Sequence, residues 1–261
     1  DQQYSVKLSF YGGEPLVYGD VFRKIVDRYR DRANVQYALV TNGSLLENYI
    51  DVFDGIPKDR ILMCISYDYS LQNENRKEGS YEEIRNVIRN VLLKGFKVKT
   101  ITTIDASTAL RIGEVFDDFS KLFNEHLGNL RGRVNIYEDS FKNRTELLSD
   151  ERLVKELERI DRSSIEDKIN FGVNSKMLNR KRLDSNLSFL ANTYAICPDG
   201  RIAWDVRSFW FDRSLPYVTT GTVFDDPVDV FNKRQEILKE YGGRVDPECI
   251  KCSASFCKIP A

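Results

Sequence analysis

The chain has almost no net charge to offer a partner. Its 39 Lys and Arg stand against 40 Asp and Glu, a formal charge of -1, so no global field draws it to nucleic acid or to an anionic membrane. The densest basic run, Asn179-Arg180-Lys181-Arg182, is short and soon meets Asp184, which is the pattern of a solvated face or loop. No stretch approaches the ~18 apolar residues of a membrane span, and the first residues are too polar for a secretory signal. These absences predict a cytoplasmic protein with no membrane or nucleic-acid partner. Histidine is nearly missing. The single His126 lies in a polar segment and reads as a surface residue, so no general acid or base stands out. Low-complexity linkers are absent too.

What is present begins with a repeated phrase. A length of 261 residues suits one large domain, or one domain with a smaller module. Strands are expected over Tyr4–Tyr11, Gln36–Thr41, Arg60–Tyr67, Phe96–Asp105 and Val134–Glu138, with helices between them. In the first helix Asp20 is the expected cap, and Val21, Ile25, Val26 and Tyr29 the buried positions. A second helix is expected over Leu45–Phe53. The third carries a Ser80/Glu83 capping box, a stripe of Ile84, Val87, Ile88, Val91 and Leu92, and a stop at Gly95. A fourth is expected over Leu110–Phe123. The third strand is apolar almost throughout, as a strand buried on both faces would be, with Cys64 in the core. Five strands alternating with helices predict right-handed crossovers and a parallel sheet, open or curved toward a barrel. Ligands collect at the carboxyl ends of such strands.

The second half is different. Residues 140–190 are highly charged and hold one amphipathic helix, Ser149–Arg162, with Leu153, Val154, Leu157 and Ile160 on its apolar side. Short strands then surround Pro198-Asp199-Gly200, at Thr193–Ile196, Arg201–Val206 and Tyr217–Thr220. Asp226-Pro227 opens a helix that runs to Gly242-Gly243. A small α+β module is therefore expected after the sheet. Four of the five cysteines lie there: Cys197, Cys249, Cys252 and Cys257. Three thiolates within nine residues favour an iron–sulfur or metal site over a disulfide in a reduced compartment. Zinc would need a fourth ligand, for which Cys197 and His126 are the nominal candidates.

The stretch SFYGGEPLVYGD, at the end of the first strand, uses two glycines and an acid where a plain turn would use Asn-Gly or Asp-Gly. Gly12-Gly13-Glu14-Pro15 suits backbone lying close to a ligand, beside a carboxylate that can receive donors. With Thr41-Asn42-Gly43 at the next strand end, Ile65-Ser66-Tyr67-Asp68 at the third, and Asn75-Arg76 through Gly79-Ser80-Tyr81-Glu82 after it, the order resembles that of radical S-adenosylmethionine (radical SAM) enzymes. Cys197-Pro198-Asp199-Gly200, Gly221-Thr222-Val223 and Cys249-x2-Cys252-x4-Cys257 resemble the SPASM extension of the peptide-modifying members.

The resemblance implies a partial (β/α)6 TIM-like barrel lacking its first strand (1–140), a helical connecting region (141–190) and a SPASM/twitch-like module (191–261). It implies that Gly12, Gly13, Glu14 and Pro15 hold the S-adenosylmethionine amino group. Ser66 and Arg76 would hold its carboxylate, Asp68 would face the ribose or neighbouring polar groups, and Asn42 would line the site. Arg supplies a bidentate fork for a carboxylate, which makes that assignment chemically sound. Cys249, Cys252 and Cys257, with Cys197, would bind an auxiliary [4Fe-4S] cluster, zinc being the alternative. The implied activity is hydrogen abstraction by a 5'-deoxyadenosyl radical from a ribosomally made peptide, with an electron-donor protein as a further partner.

Two features depart from that pattern. The family's CxxxCxxC loop is missing, since eleven residues precede Gly12 and the first cysteine is Cys64. The loop either stands upstream of Asp1 or was lost, and the lost case would make the chain a degenerate, non-catalytic peptide- or protein-binding member. The first strand would then have an unpaired edge, open to another segment or a companion chain. In the extension, Ala203-Trp204-Asp205 occupies the neighbourhood where the family has a cysteine.

Overall fold

The computed structural model describes residues 5–126, 129–136, 150–174, 194–197, 199–203 and 219–243. The basic run at 179–182, Trp204, Cys249, Cys252 and Cys257 lie outside the described residues. The chain divides into two compact units, Asp1–Leu178 and Asn179–Ala261.

The first unit is built on one parallel sheet whose strands stand side by side in chain order: β1 Val6–Phe10, β2 Val35–Thr41, β3 Ile61–Ser66, β4 Lys97–Ile104, β5 Leu130–Ile136 and β6 Phe171–Asn174. The α/β class and parallel sheet follow the sequence reading. The sixth strand does not. At four residues inside a charged stretch, Phe171–Asn174 is too short to show a period, and only its pairing with β5, Val134 opposite Val173, makes it a strand. β5 also begins earlier than expected. β1 is the edge of the sheet, hydrogen-bonded to β2 alone among the described residues.

Because the strand order never reverses, right-handed crossovers put the helices on one face of the sheet. These are α1 Gly19–Tyr29, the single turn α2 Gln72–Asn75, α3 Ser80–Leu93, α4 Ile112–Glu125 and α5 Glu151–Glu166. Alternate strand residues such as Tyr37, Leu39, Met63, Ile65, Val98 and Val134 share one core with Phe22, Val26, Ile84, Ile88, Phe116 and Phe119 of the helices. In β3 the helix-facing residues Ile61, Met63 and Ile65 are fully buried, but Leu62 and Ser66 are half-open. The strand is thus buried on one face rather than on both, although Cys64 is buried as expected.

Several helix details differ from the expected ones for identifiable reasons. In α1 the buried pair is Phe22 and Val26, while Val21 and Tyr29 are exposed, so the stripe is shifted by one position. Gly19 begins this helix directly against the Tyr49 ring, and that close approach sets its rotation. Asp20 makes no cap; it lies in the first turn, where its charge meets the positive end of the helix. Leu45–Phe53 forms two 3-10 turns, Leu46–Asn48 and Ile50–Phe53, because a segment this short and uncapped does not sustain an α-helix. In α3 the expected stripe is buried throughout. Ser80 is its first residue and donates back to the Lys77 carbonyl (2.6 Å) instead of capping. The C-terminus closes as anticipated: Gly95, at φ +82°, gives its N–H to Leu92, and Phe96 gives its own to Val91. α5 is capped by Asp150, which accepts from the Arg152 N–H (2.9 Å).

The second unit contains an antiparallel sheet of β7 Ala195–Ile196, β8 Arg201–Ala203 and β9 Thr219–Thr222, followed by α6 Pro227–Gly243. No helix among the described residues is long and apolar enough to cross a membrane.

Candidate functional site

The polar motifs singled out in the sequence fall at the carboxyl ends of three adjacent strands. After β1 the chain passes through Gly12, at φ +149°, a region that glycine alone enters freely. A side-chain carbon on Gly12 or Gly13 would meet nothing within 4 Å, so the backbone here borders open space. Pro15 then opens a 3-10 turn, Pro15–Tyr18, for which Glu14 is the N-cap.

Glu14 ties the end of β1 to the end of β2. Oε1 accepts from the Leu16 N–H (3.2 Å) and from the Thr41 hydroxyl (2.8 Å), and Oε2 accepts from the Asn42 N–H (2.8 Å). Thr41 is buried and also accepts from the Gly43 N–H (3.1 Å), so one hydroxyl links the carboxylate to the turn that leaves β2. Asn42 is exposed, and its Oδ1 accepts from the N–H and hydroxyl of Ser44. Its amide nitrogen keeps both donors among the described residues.

A second cluster forms at the ends of β3 and β4. Ser66 closes β3, half-buried, and its hydroxyl has no hydrogen-bond partner among the described residues. Asp68 is 2% exposed; Oδ2 accepts from Arg76 Nε (2.9 Å) and Oδ1 from the Thr103 N–H of β4 (3.2 Å). Its own N–H donates to the buried Gln72 side chain (2.7 Å). The Arg76 side chain is 41% exposed, and its two terminal nitrogens make no hydrogen bond among the described residues. Asp68 therefore uses its carboxylate internally, to hold the guanidinium by its inner nitrogen.

The turn after Asp68 is strained. Tyr69 adopts φ +53°, a left-handed conformation that costs about 1–2 kcal/mol for a residue with a Cβ. The surrounding contacts hold it there: its hydroxyl hydrogen-bonds with Thr100 Oγ1 (2.7 Å), and its ring lies against Tyr67 (4.6 Å) and Phe119 (5.9 Å). Burial pushes both the Tyr67 and Tyr69 phenols upward, so they stay protonated. At the end of β4, Asp105 is held below the usual carboxylate range, first by the Ser107 hydroxyl and then by Thr108.

Sequence reasoning thus found the residues at the strand ends but not all their partners. Thr41, Gln72 and Thr103 were missed as supports. Thr41 and Gln72 carry a weak signal, one beside Asn42 and the other four residues after Asp68, but the contribution of Thr103 is a backbone N–H that no side-chain pattern reveals. No hydrogen bond among the described residues joins the Glu14 cluster to the Asp68 cluster. In the second unit, Cys197 is buried at the end of β7, where its N–H donates to the Arg201 carbonyl and its carbonyl accepts from the Gly200 N–H. The described residues contain no group of three or more His, Cys, Asp or Glu placed to hold a metal ion.

No family profile matches the chain. A stretch of 88 residues, 33% of the chain, is 26% identical to the radical SAM cyclopropyl synthase TigE of Paramaledivibacter caminithermalis, and the match spans only 18% of that protein. Among solved structures, native anSMEcpe with bound AdoMet (S-adenosylmethionine) superposes with a TM-score of 0.64 at 16% identity, covering 96% of this chain and 72% of that one. The same enzyme with AdoMet and the Cp18Cys peptide gives 0.65 at 18% identity, covering 95% and 73%. Streptococcus suis SuiB gives 0.65 at 14% identity, covering 95% of this chain and 60% of its own. The fold is that of the radical SAM enzymes, a TIM-barrel-like parallel α/β sheet. The similarity to TigE, a radical SAM protein, covers a third of this chain, and the solved structures share its fold.

Proposed function

We propose that the chain binds S-adenosylmethionine at the carboxyl ends of β1, β2 and β3 and forms the larger part of an enzyme that modifies a ribosomally made peptide. One observation carries this reading. Three motifs distant in sequence bring polar groups to three neighbouring strand ends, and several of those groups retain free hydrogen-bonding capacity. A carboxylate has about four acceptor sites, and Glu14 uses three, which leaves one for an ammonium beside the exposed backbone of Gly12 and Gly13. Ser66 and the outer nitrogens of Arg76 are donors available to a carboxylate. Asp68 acts as a positioning residue that orients Arg76, Asn42 lines the site through its amide, and Pro15 fixes the turn that carries Glu14.

S-adenosylmethionine held there would, with a reduced iron–sulfur cluster, supply radical chemistry for the peptide. The chain's own part is to hold the cosubstrate by both ends of its methionyl group. The 261 residues contain no CxxxCxxC spacing, so this reading assigns that cluster to residues outside them, on an upstream segment or a companion chain against the β1 edge. In the SPASM-like second unit, the Cys249, Cys252 and Cys257 spacing with Cys197 would supply thiolates to an auxiliary [4Fe-4S] cluster or to zinc. An electron-donor protein completes the system.

Isothermal titration with S-adenosylmethionine tests the site. The wild-type protein should bind, Arg76→Ala should weaken binding by about tenfold or more, and Asp68→Asn should weaken it less, as expected of a charge-assisted contact and its support. Equal affinity in all three would remove the site as drawn. Anaerobic reconstitution with iron and sulfide tests the thiolate set. A protein that retains neither iron nor zinc would exclude the auxiliary centre.

A further inference from the structure

The face of the sheet opposite the helices carries a charge asymmetry that the balanced composition conceals. Strand alternation places Lys7 of β1, Lys97 and Lys99 of β4, and Arg131 and Arg133 of β5 on that face. No strand residue on it is acidic, and none is aromatic. Lys7, Lys97 and Arg131 are exposed, and Lys99 and Arg133 are half-buried. Elsewhere in the unit arginines are matched with acids, as in Arg23–Asp51, Arg89–Glu125, Arg111–Glu74 and Arg159–Asp117. Among the described residues, none of these five cations has an ion-pair partner.

The register concentrates the charge. Lys99 stands directly opposite Arg131 on one side and Cys64 on the other, and like charges facing each other across strands are unfavourable. Burial lowers the Lys99 ammonium below the usual lysine range, and Arg133 pushes it the same way, with Lys7 and Arg131 adding to the effect against Cys64. Burial raises the Cys64 thiol while Lys99, Lys7 and Arg133 pull it down, so these cations surround one point on the face. An anion there would relieve their mutual repulsion.

We propose that this basic face receives an extended acidic segment of the peptide substrate, its alternate carboxylates taken up by Lys97 and Lys99 and by Arg131 and Arg133. Residues two apart on a strand lie roughly 6.6 Å apart on one face, which is also the spacing of alternate side chains in an extended peptide. Single-stranded nucleic acid fits less well, because the described strand residues of this face offer no aromatic ring on which a base could stack. The assignment rests on the peptide-modifying reading above.

Fluorescence anisotropy on the full-length protein tests it with three labelled probes: an alternating Gly-Glu decapeptide, its Gly-Gln counterpart and a ten-nucleotide oligothymidylate. The Gly-Glu peptide should bind at least about tenfold more tightly than the Gly-Gln peptide, and added salt should erode the difference. Lys99→Met and Arg133→Met should each weaken Gly-Glu binding roughly three- to tenfold, and the exposed Arg131→Gln, the variant least able to disturb the fold, should weaken it in the same sense. Equal affinity for the two peptides, Gly-Glu binding untouched by all three variants, or tighter binding of the oligothymidylate would each overturn the proposal. Titration of S-adenosylmethionine into the same preparation separates the two readings. Cosubstrate binding without a charge preference sinks the acidic segment alone. A charge preference without cosubstrate binding sinks the radical-enzyme reading, and with it the assignment of the bound peptide as substrate.

Discussion

Replacing Glu14 should loosen the fold as well as the site, because its carboxylate is the joint between the ends of β1 and β2. In Glu14→Ala three donors lose their acceptor at once: the Leu16 N–H, the Thr41 hydroxyl and the Asn42 N–H. Asn42 is exposed and its N–H turns to water, whereas Thr41 and Leu16 are 2% and 1% exposed and cannot easily do so. One buried hydroxyl, one buried amide and one solvated amide, each losing a charged acceptor, sum to about 2–4 kcal/mol. For a unit of this size that lowers the unfolding midpoint by roughly 5–15 °C. Glu14→Gln should cost only about 1–2 kcal/mol, since its single carbonyl can serve Thr41 and Leu16 while its amide meets the Asn42 N–H donor to donor. Thermal unfolding followed by circular dichroism gives the ranking wild type, Gln, Ala. An unchanged midpoint in Glu14→Ala would refute the joint and show that the carboxylate serves the ligand alone.

Other consequences follow from the same structure. Arg85 and Asp118, 8% and 10% exposed, form a buried pair at 2.8 Å that also engages the Tyr81 hydroxyl. Asp118→Ala should cost about 2–4 kcal/mol in denaturant unfolding, because it leaves the buried guanidinium only the Tyr81 hydroxyl and a 3.8 Å contact to Glu125, and Arg85→Met/Asp118→Leu should recover most of it; equal losses in the two would contradict the pair. A Cβ on Gly19 would fall on the Tyr49 ring, so Gly19→Ala should destabilise by about 1–3 kcal/mol, and adding Tyr49→Ala should make the first change harmless. Asp105 has a lowered pKa, so its stabilising contribution is complete above the unfolded value of about 3.9 and disappears as pH falls through the lower folded value. Asp105→Asn should therefore flatten the loss of stability below about pH 4, and superimposable acid-unfolding curves would exclude that contribution.

Where the chain alternates period and punctuation clearly, the structure was legible. The stripe of α3 from Ile84 to Leu92, its closure at Gly95 and the parallel order of the first strands follow from local spacing and from the handedness of crossovers. The strand-end motifs were legible as strand ends for a related reason, since glycines and a carboxylate directly beyond an apolar run mark where the strand stops. The misses share one cause. The rotation of α1 depends on Gly19 meeting Tyr49, thirty residues away in the chain. β6 exists because β5 offers it an edge, and the Leu46–Asn48 and Ile50–Phe53 turns are too short to reveal their own helix type.

The sequence by itself therefore determined the βα alternation, the core stripe of α3 and the identity of the residues at the strand ends, because each depends on neighbours a few positions away. Tertiary structure alone decided what those residues do. It turned the Asp68 carboxylate inward to hold Arg76, engaged Glu14 as the joint of two strands, and gathered Lys7, Lys97, Lys99, Arg131 and Arg133 on one face of a chain with no net charge to speak of. Hydrogen bonds and electrostatic fields act through space, and only the register of neighbouring strands sets which distant residues come within their range.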